Sequence, residues 1–160
     1  MGERLHLNRD VADIERRLGC MALYGTIAEA DYTTARVRVR SGPILSNWLP
    51  FLTSRAEGDV TWHPPEVGEQ VLVLCPGGEL NQGCVLGALY RAAAPAPADR
   101  VEVSTTVWKD GAFERYDREG HHYRLEVPAG GSITLAVGDS ELLMTADNVT
   151  VRATRIDLNP

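Results

Sequence analysis

The sequence has few aromatic side chains, few cysteines and no long apolar run. Phe, Trp and Tyr make up only 6% of the 160 residues, which is little material for a bulky core. No apolar stretch approaches the roughly 20 residues that a membrane-spanning helix requires. Residues 1–10 carry charges where a secretory signal has its apolar segment, so we expect synthesis in the cytoplasm without a signal peptide.

The cysteines argue against a disulfide framework or a zinc site. Cys20, Cys75 and Cys84 are odd in number and form no CxxC pair. Free, buried thiols are the expected state, because unoxidised cysteine behaves as a small apolar residue.

The charge balance disfavours nucleic acid as a partner. The net charge is −6 at pH 7, whereas nucleic acid is bound mainly through neutralisation of its phosphates by Lys and Arg. The one basic cluster, Arg36, Arg38 and Arg40, alternates with Val37 and Val39. That alternation is typical of a half-buried strand with one solvated face, so no nucleic-acid partner is expected.

Strand patterns dominate the sequence after one short helix. Val11, Ile14 and Leu18 have the spacing of one helix face, Asn8 is placed to cap this helix, and Gly19 to end it. Strand signals follow over residues 20–28, 33–40, 48–52, 69–74 and 83–90, with a turn predicted at residues 30–31. Proline and glycine fall between or at the ends of these runs, which favours a small closed barrel.

An Ala/Pro-rich stretch divides the chain at residues 91–100. Its small residues and prolines offer no core and predict an extended spacer. The predicted domains are a helical leader (1–19), a barrel (20–90), this linker (91–100) and a β-structured spike (101–160), in which short strand signals alternate with Gly- and Asp-containing turns.

Residues 133–158 alternate apolar and polar side chains with the period of a strand. The apolar positions are medium-sized aliphatic residues, whereas a sandwich this small needs bulky inward side chains on two sheets. Three chains around one axis would cover these rows and pair every strand edge. The predicted axial core consists of Ile133, Leu135, Val137, Leu143, Val149, Val151, Ile156 and Leu158.

The barrel region resembles a known family. Residues 48–52 read WLPFL, residues 61–74 read TWHPPEVGEQVLVL, and residues 78–90 read GELNQGCVLGALY. This pattern, which covers residues 18–90, resembles the oligonucleotide/oligosaccharide-binding (OB) barrel of the phage baseplate assembly protein V family. Members of that family are central spikes of contractile tails, and type VI secretion spikes share the barrel and prism design.

The resemblance implies a fold class and a function. The expected fold is all-β: a short N-terminal helix and an OB-fold barrel, followed by a C-terminal intertwined trimeric β-helix or β-prism spike. The expected function is mechanical puncture of a target cell envelope by the spike of a phage or a phage-tail-like bacteriocin. The expected partners are two further copies in a homotrimer, tail tube or baseplate hub proteins, and the target outer membrane; the protein would act within an assembled virion or tailocin baseplate.

No catalytic residue and no cofactor are predicted. Several relatives carry a His-x-His motif near the tip, where three chains place six imidazoles around iron, and this sequence lacks that motif. His121 and His122 are adjacent, so on a strand only one of them could face an axis. Either histidine is a weak candidate for an axial ligand, and a structural metal ion on the trimer axis stays open.

Two alternative functions are weighed against the spike. The barrel could be a binding module for oligosaccharide or single-stranded nucleic acid, with Trp48 and Trp62 stacking on the ligand, although packing over the barrel is the favoured role of both rings. An envelope-degrading enzyme would need two carboxylates in a cleft, whereas a convex prism offers none. The sequence also has no GxSxG, HExxH or P-loop motif, so a non-enzyme is expected. The carboxylates that could be searched for such a pair are Glu114, Asp117, Glu119, Glu126, Asp139 and Glu141.

Overall fold

The computed structural model describes residues 2–158 of the chain and side chains from residue 9 onward. Within that range one α-helix is followed by strands and, at Pro76–Gly78 and Leu80–Gln82, two 3₁₀ helices of three residues each. The chain forms two compact units that divide between Pro95 and Ala96. The expected mostly-β architecture with one N-terminal helix is confirmed at this level. No helix in the described range is long and apolar enough to cross a membrane.

The first unit contains the helix and a barrel-like sheet. Its elements are α1 (Gly2–Gly19), β1 (Ala22–Asp31), β2 (Arg36–Ser41), β3 (Ile44–Leu45), β4 (Leu49–Pro50), β5 (Ala56–Glu57), β6 (Asp59–Val60), β7 (Gln70–Leu74) and β8 (Cys84–Ala88). The main sheet has the order β3-β2-β1-β7-β8, with β4 also paired to β2. A bridge from Phe51 to Val85 joins the segment after β4 to β8, which closes the sheet on itself.

The core of this unit lies inside the barrel. Its fully buried apolar residues are Ile27, Val37, Val39, Leu49, Val71, Val73, Cys75 and Val85. Strand β2 shows the predicted alternation, since Val37 and Val39 are buried while its arginines lie on the other side. Arg36 and Arg40 are exposed, and Arg38 is half-buried and paired with Glu29 at 3.0 Å, so β2 has one buried face and one mostly exposed face.

Two local predictions in this unit are wrong. The helix begins at Gly2, so Asn8 lies inside it and does not cap it. Strand β1 continues through Asp31, and the turn occupies residues 32–35, not 30–31. The reason for the later turn is that the Asp31 carboxylate accepts hydrogen bonds from the amides of Thr33 and Thr34, at 2.9 and 3.4 Å, which stabilises the turn after the aspartate.

The cysteines are unpaired thiols. Cys75 is buried in the barrel, and Cys20 and Cys84 are half-buried. Burial raises the pKa of the Cys75 and Cys84 thiols, which keeps them protonated and unreactive near neutral pH.

The second unit consists of two separate antiparallel sheets. Its strands are β9 (Val103–Val107), β10 (Phe113–Asp117), β11 (His122–Glu126), β12 (Ser132–Val137), β13 (Ser140–Thr145) and β14 (Val149–Arg152). The sheet orders are β11-β10-β9 and β12-β13-β14, so each sheet is a meander of consecutive strands. In contrast to the barrel, no described residue from 96 to 158 is buried.

Candidate assembly surface

One face of the β12-β13-β14 sheet is aliphatic apart from Ser140, which lies opposite Val137 at the turn. Antiparallel pairing places Ile133 opposite Met144 and Leu135 opposite Leu142. The next pairing places Val151 opposite Leu142 and Val149 opposite Met144. Directly opposed residues share a face, so this surface, here called the aliphatic face, comprises Ile133, Leu135, Val137, Leu142, Met144, Val149 and Val151.

The aliphatic face is not covered within one chain. Leu135, Val149 and Val151 are 60%, 63% and 54% exposed, and Val137 is 84% exposed. Soluble monomers seldom expose a contiguous apolar surface of this kind without a partner for it. The face is therefore the strongest candidate for an assembly surface in the second unit.

Leu143 does not share this face, and the prediction that it does is wrong. It pairs with Thr134 and Thr150 on the opposite side of the sheet. Val137 pairs with Ser140 across the two-residue turn Gly138–Asp139, so odd-numbered residues of β12 lie opposite even-numbered residues of β13. A continuous alternation through the turn therefore selects the wrong leucine.

Leu142 and Met144 are the positions that the sequence analysis missed. The sequence signal for them is the two-residue turn Gly138–Asp139. If residues are paired outward from this turn, beginning with Val137 and Ser140, Leu142 pairs with Leu135. The remaining predicted residues, Ile156 and Leu158, lie beyond β14 and are 48% and 84% exposed. No strand pairing in the described range assigns them to a face.

The β11-β10-β9 sheet has one nearly uncharged face. Tyr116 pairs with Tyr123, and Glu114 pairs with Leu125. The hydroxyl of Tyr123 donates a hydrogen bond to the carboxylate of Glu114. The pKa of Tyr123 is raised, mainly by desolvation and to a smaller extent by this carboxylate. On the opposite face, the ring of Phe113 lies 5.4 Å from the guanidinium of Arg115 and 5.5 Å from that of Arg124.

The two histidines lie in different local structures. His121 is in the turn after Gly120, with a φ of +49°, and His122 is the first residue of β11, opposite Asp117. The argument that strand neighbours point to opposite faces therefore does not apply to His121. In residues 9–158 of a single chain, no three His, Cys, Asp or Glu side chains are grouped to hold a metal ion.

Arg100 fixes the start of the second unit to the β10–β11 turn. Its guanidinium contacts Asp117 at 3.3 Å and Glu119 at 2.7 Å. Arg118 donates to the carbonyl of Val101 at 2.6 Å. Hydrogen bonds from the amides of Gly120 and Glu119, together with Arg100, lower the pKa of Asp117, so this carboxylate serves the turn and the ion pairs.

Trp48 and Trp62 contact different parts of the barrel. The ring of Trp62 lies 6.0 Å from that of Phe51 and is tilted by 56°. The ring of Trp48 lies 5.9 Å from the guanidinium of Arg38. Each is about half exposed, at 52% and 43%, so packing accounts for part of each ring's surface.

Comparison with known proteins gives the same family for the barrel. Residues 23–90 match the family described as the type VI secretion system/phage-baseplate injector OB domain. A spike protein of Escherichia phage P2 is 35% identical over 134 residues, which cover 80% of this chain and 64% of that protein. The chain thus spans a little under two thirds of that relative. The family whose model matches residues 23–90 is the one that the sequence resembles, and the similarity to the phage P2 spike protein agrees with that resemblance.

Proposed function

We propose that this protein is the central spike of a contractile tail, and that it acts as a homotrimer which punctures a target cell envelope. The observation that carries the proposal is a second unit folded into strands in which no described residue is buried. Covering a half-exposed Val or Leu contributes on the order of 1 kcal/mol. The uncovered aliphatic face therefore costs several kcal/mol, which is comparable with the whole stability of a small domain.

Three copies around one axis remove this cost. Each chain contributes its β12-β13-β14 sheet as one wall of a prism, and the aliphatic faces meet inside. The edge strands β12 and β14 gain partners from neighbouring chains, which leaves no open edge for aggregation. The proposed axial core keeps the predicted residues except Leu143 and adds two, and it consists of Ile133, Leu135, Val137, Leu142, Met144, Val149, Val151, Ile156 and Leu158.

The proposed mechanism is mechanical and involves no catalytic step. A ring of three barrels docks on the tail tube or a baseplate hub protein and receives the force of sheath contraction. Interchain backbone hydrogen bonds and packed aliphatic layers transmit the force to the target outer membrane. The OB-domain family and the relative named a spike protein support this role.

Light scattering on the purified protein tests the assembly. The expected mass is about 52 kDa, three times the 17.5 kDa of one chain. A monomeric mass in dilute buffer would contradict the proposal.

Val151→Asp tests the assignment of the axis. The variant places three carboxylates together inside the prism, where burying each ion costs several kcal/mol. We expect the trimer to be lost. Arg152→Asp is the matched control, because Arg152 is exposed and lies on the other face, opposite Glu141; it should retain the trimeric mass. A heat-stable Val151→Asp trimer would show that this face is not axial.

A further inference from the structure

The helix α1 presents an apolar stripe that its own barrel does not cover. Val11, Ile14 and Leu18 lie on one side of the helix and are 48%, 56% and 62% exposed. From residue 9 to residue 18, every residue except Asp13 is exposed. This surface is called the helix stripe below.

The helix is held to the barrel at its last turn. Gly78, with a φ of +76°, lies against the backbone of Arg17, where an added Cβ would come within 2.7 Å of the Arg17 Cα. This contact lies at the last turn of the helix, and the stripe stays exposed along the preceding residues.

The outside of the barrel carries a second uncovered apolar surface. Tyr24 on β1 pairs with Leu72 on β7, and their strand neighbours Gly25, Val71 and Val73 are buried inside. Leu74 and Leu86 continue the surface along β7 and β8. Tyr24, Leu74 and Leu86 are 65%, 40% and 37% exposed. This surface is called the barrel patch.

The charges beside the two surfaces are complementary. At 100° per residue, Asp10 and Glu15 flank the helix stripe on its two sides. Arg40 borders the barrel patch, since it pairs with Thr26, two residues along β1 from Tyr24. The two carboxylates that flank the stripe are therefore opposite in charge to Arg40, the one guanidinium named beside the patch.

We propose that the helix stripe of one copy docks on the barrel patch of a neighbouring copy. The inference rests on the proposed homotrimer and deepens it by naming the contact that joins the barrels. Because stripe and patch are different surfaces, the contact runs head to tail, and such contacts close into a ring when the rotation permits. Every copy carries one stripe and one patch, so a closed ring leaves neither uncovered. An 18-residue helix is about 27 Å long, enough to reach an adjacent barrel.

Photo-crosslinking of the full chain tests the contact. A benzophenone amino acid replaces Ile14 in one preparation and Arg9, on the opposite side of the helix, in the control. After irradiation we expect bands at two and three times 17.5 kDa on a denaturing gel for the position-14 protein, with several-fold less for the position-9 protein. Peptide mapping should join residue 14 to β1 or β7.

Charge reversal provides a second readout. Arg40→Glu should lower the crosslinking yield several-fold, and Asp10→Arg in the same chain should restore part of it. If light scattering gives a trimeric mass but residue 14 crosslinks only within its own chain, crosslinks to a part of the neighbouring chain other than the barrel patch, or does not crosslink, this inference is wrong. The spike proposal would still stand. A monomeric mass would overturn both.

Discussion

At the scale of single residues, close backbone contacts decide which positions tolerate change. Gly25 lies on β1 close to its neighbouring strand β2, and an added Cβ would come within 2.3 Å of the Val39 side chain and 2.9 Å of the Arg40 carbonyl oxygen. At Gly87 on β8, by contrast, an added Cβ would have no other atom within 4 Å. Both glycines look alike in the sequence, and only packing distinguishes them.

Gly25→Ala should therefore destabilise the barrel, by about 1–3 kcal/mol, which is the usual cost of overpacking a core. Gly87→Ala should leave the free energy of unfolding nearly unchanged. Chemical denaturation followed by tryptophan fluorescence measures both variants. Equal effects of the two substitutions would contradict the packing described at Gly25.

Asp117 gives the second unit a pH dependence of known sign. In the folded chain, the pKa of Asp117 lies below the ordinary 3.8 because its carboxylate accepts hydrogen bonds from the Gly120 and Glu119 amides. The positive charge of Arg100 lowers the pKa further. A carboxyl with a lowered folded-state pKa stabilises the protein above its unfolded pKa, and that stabilisation is lost as the pH falls through the folded value. The relevant window lies below about pH 4.

The thermal midpoint of Asp117→Asn should accordingly lie below that of the unchanged protein at pH 7, and the gap should narrow below pH 4. Asp139→Asn, in the turn between β12 and β13, is the control for removing an aspartate elsewhere in the second unit. Calorimetry from pH 7 to pH 3 measures the gap. A gap of constant size would show that Asp117 does not act through its charge.

At the scale of elements, the length of each hairpin turn decides which side chains share a face. Because the turn Gly138–Asp139 has two residues, odd-numbered residues of β12 share a face with even-numbered residues of β13. The two-residue turn at 146–147 then places odd-numbered residues of β14 on that same face. Leu142 consequently joins the aliphatic face, while its neighbour Leu143 lies with Thr134 and Thr150.

Leu142→Asp and Leu143→Asp form a matched pair that tests this register. The first places a carboxylate on the aliphatic face and should abolish the trimeric mass. The second places the same group on the opposite face and should preserve that mass, with at most a lower thermal midpoint. The reverse result in light scattering would mean that the strands pair with a shift of one residue.

At the scale of the whole molecule, stability should depend on protein concentration. If the second unit is completed only by other copies, mass action links its unfolding to association. The thermal midpoint should rise when the concentration is raised a hundredfold, whereas Val151→Asp should show no such rise. A midpoint independent of concentration in the unchanged chain would indicate a fold stable as a monomer.

The sequence by itself determined the types of the elements and the places where most of them end. Strand periodicity and turn residues are local signals, so the alternation of Val37 and Val39 with arginines and the turns at Gly111, Gly120 and Gly138 could be predicted directly. The motifs of residues 48–52, 61–74 and 78–90 were likewise sufficient to indicate the family whose model matches residues 23–90.

Only the tertiary structure decided which apolar rows the chain covers itself and which it leaves open. Val39 is fully buried and Val151 is 54% exposed, although both are valines in alternating strands. The difference depends on strands distant in the chain: the barrel closes over Val39, while nothing in residues 96–158 closes over Val151. Alternation in the sequence indicates that a side chain belongs to an apolar face. The pairing of strands that are distant in the chain determines whether residues of the same chain bury that face.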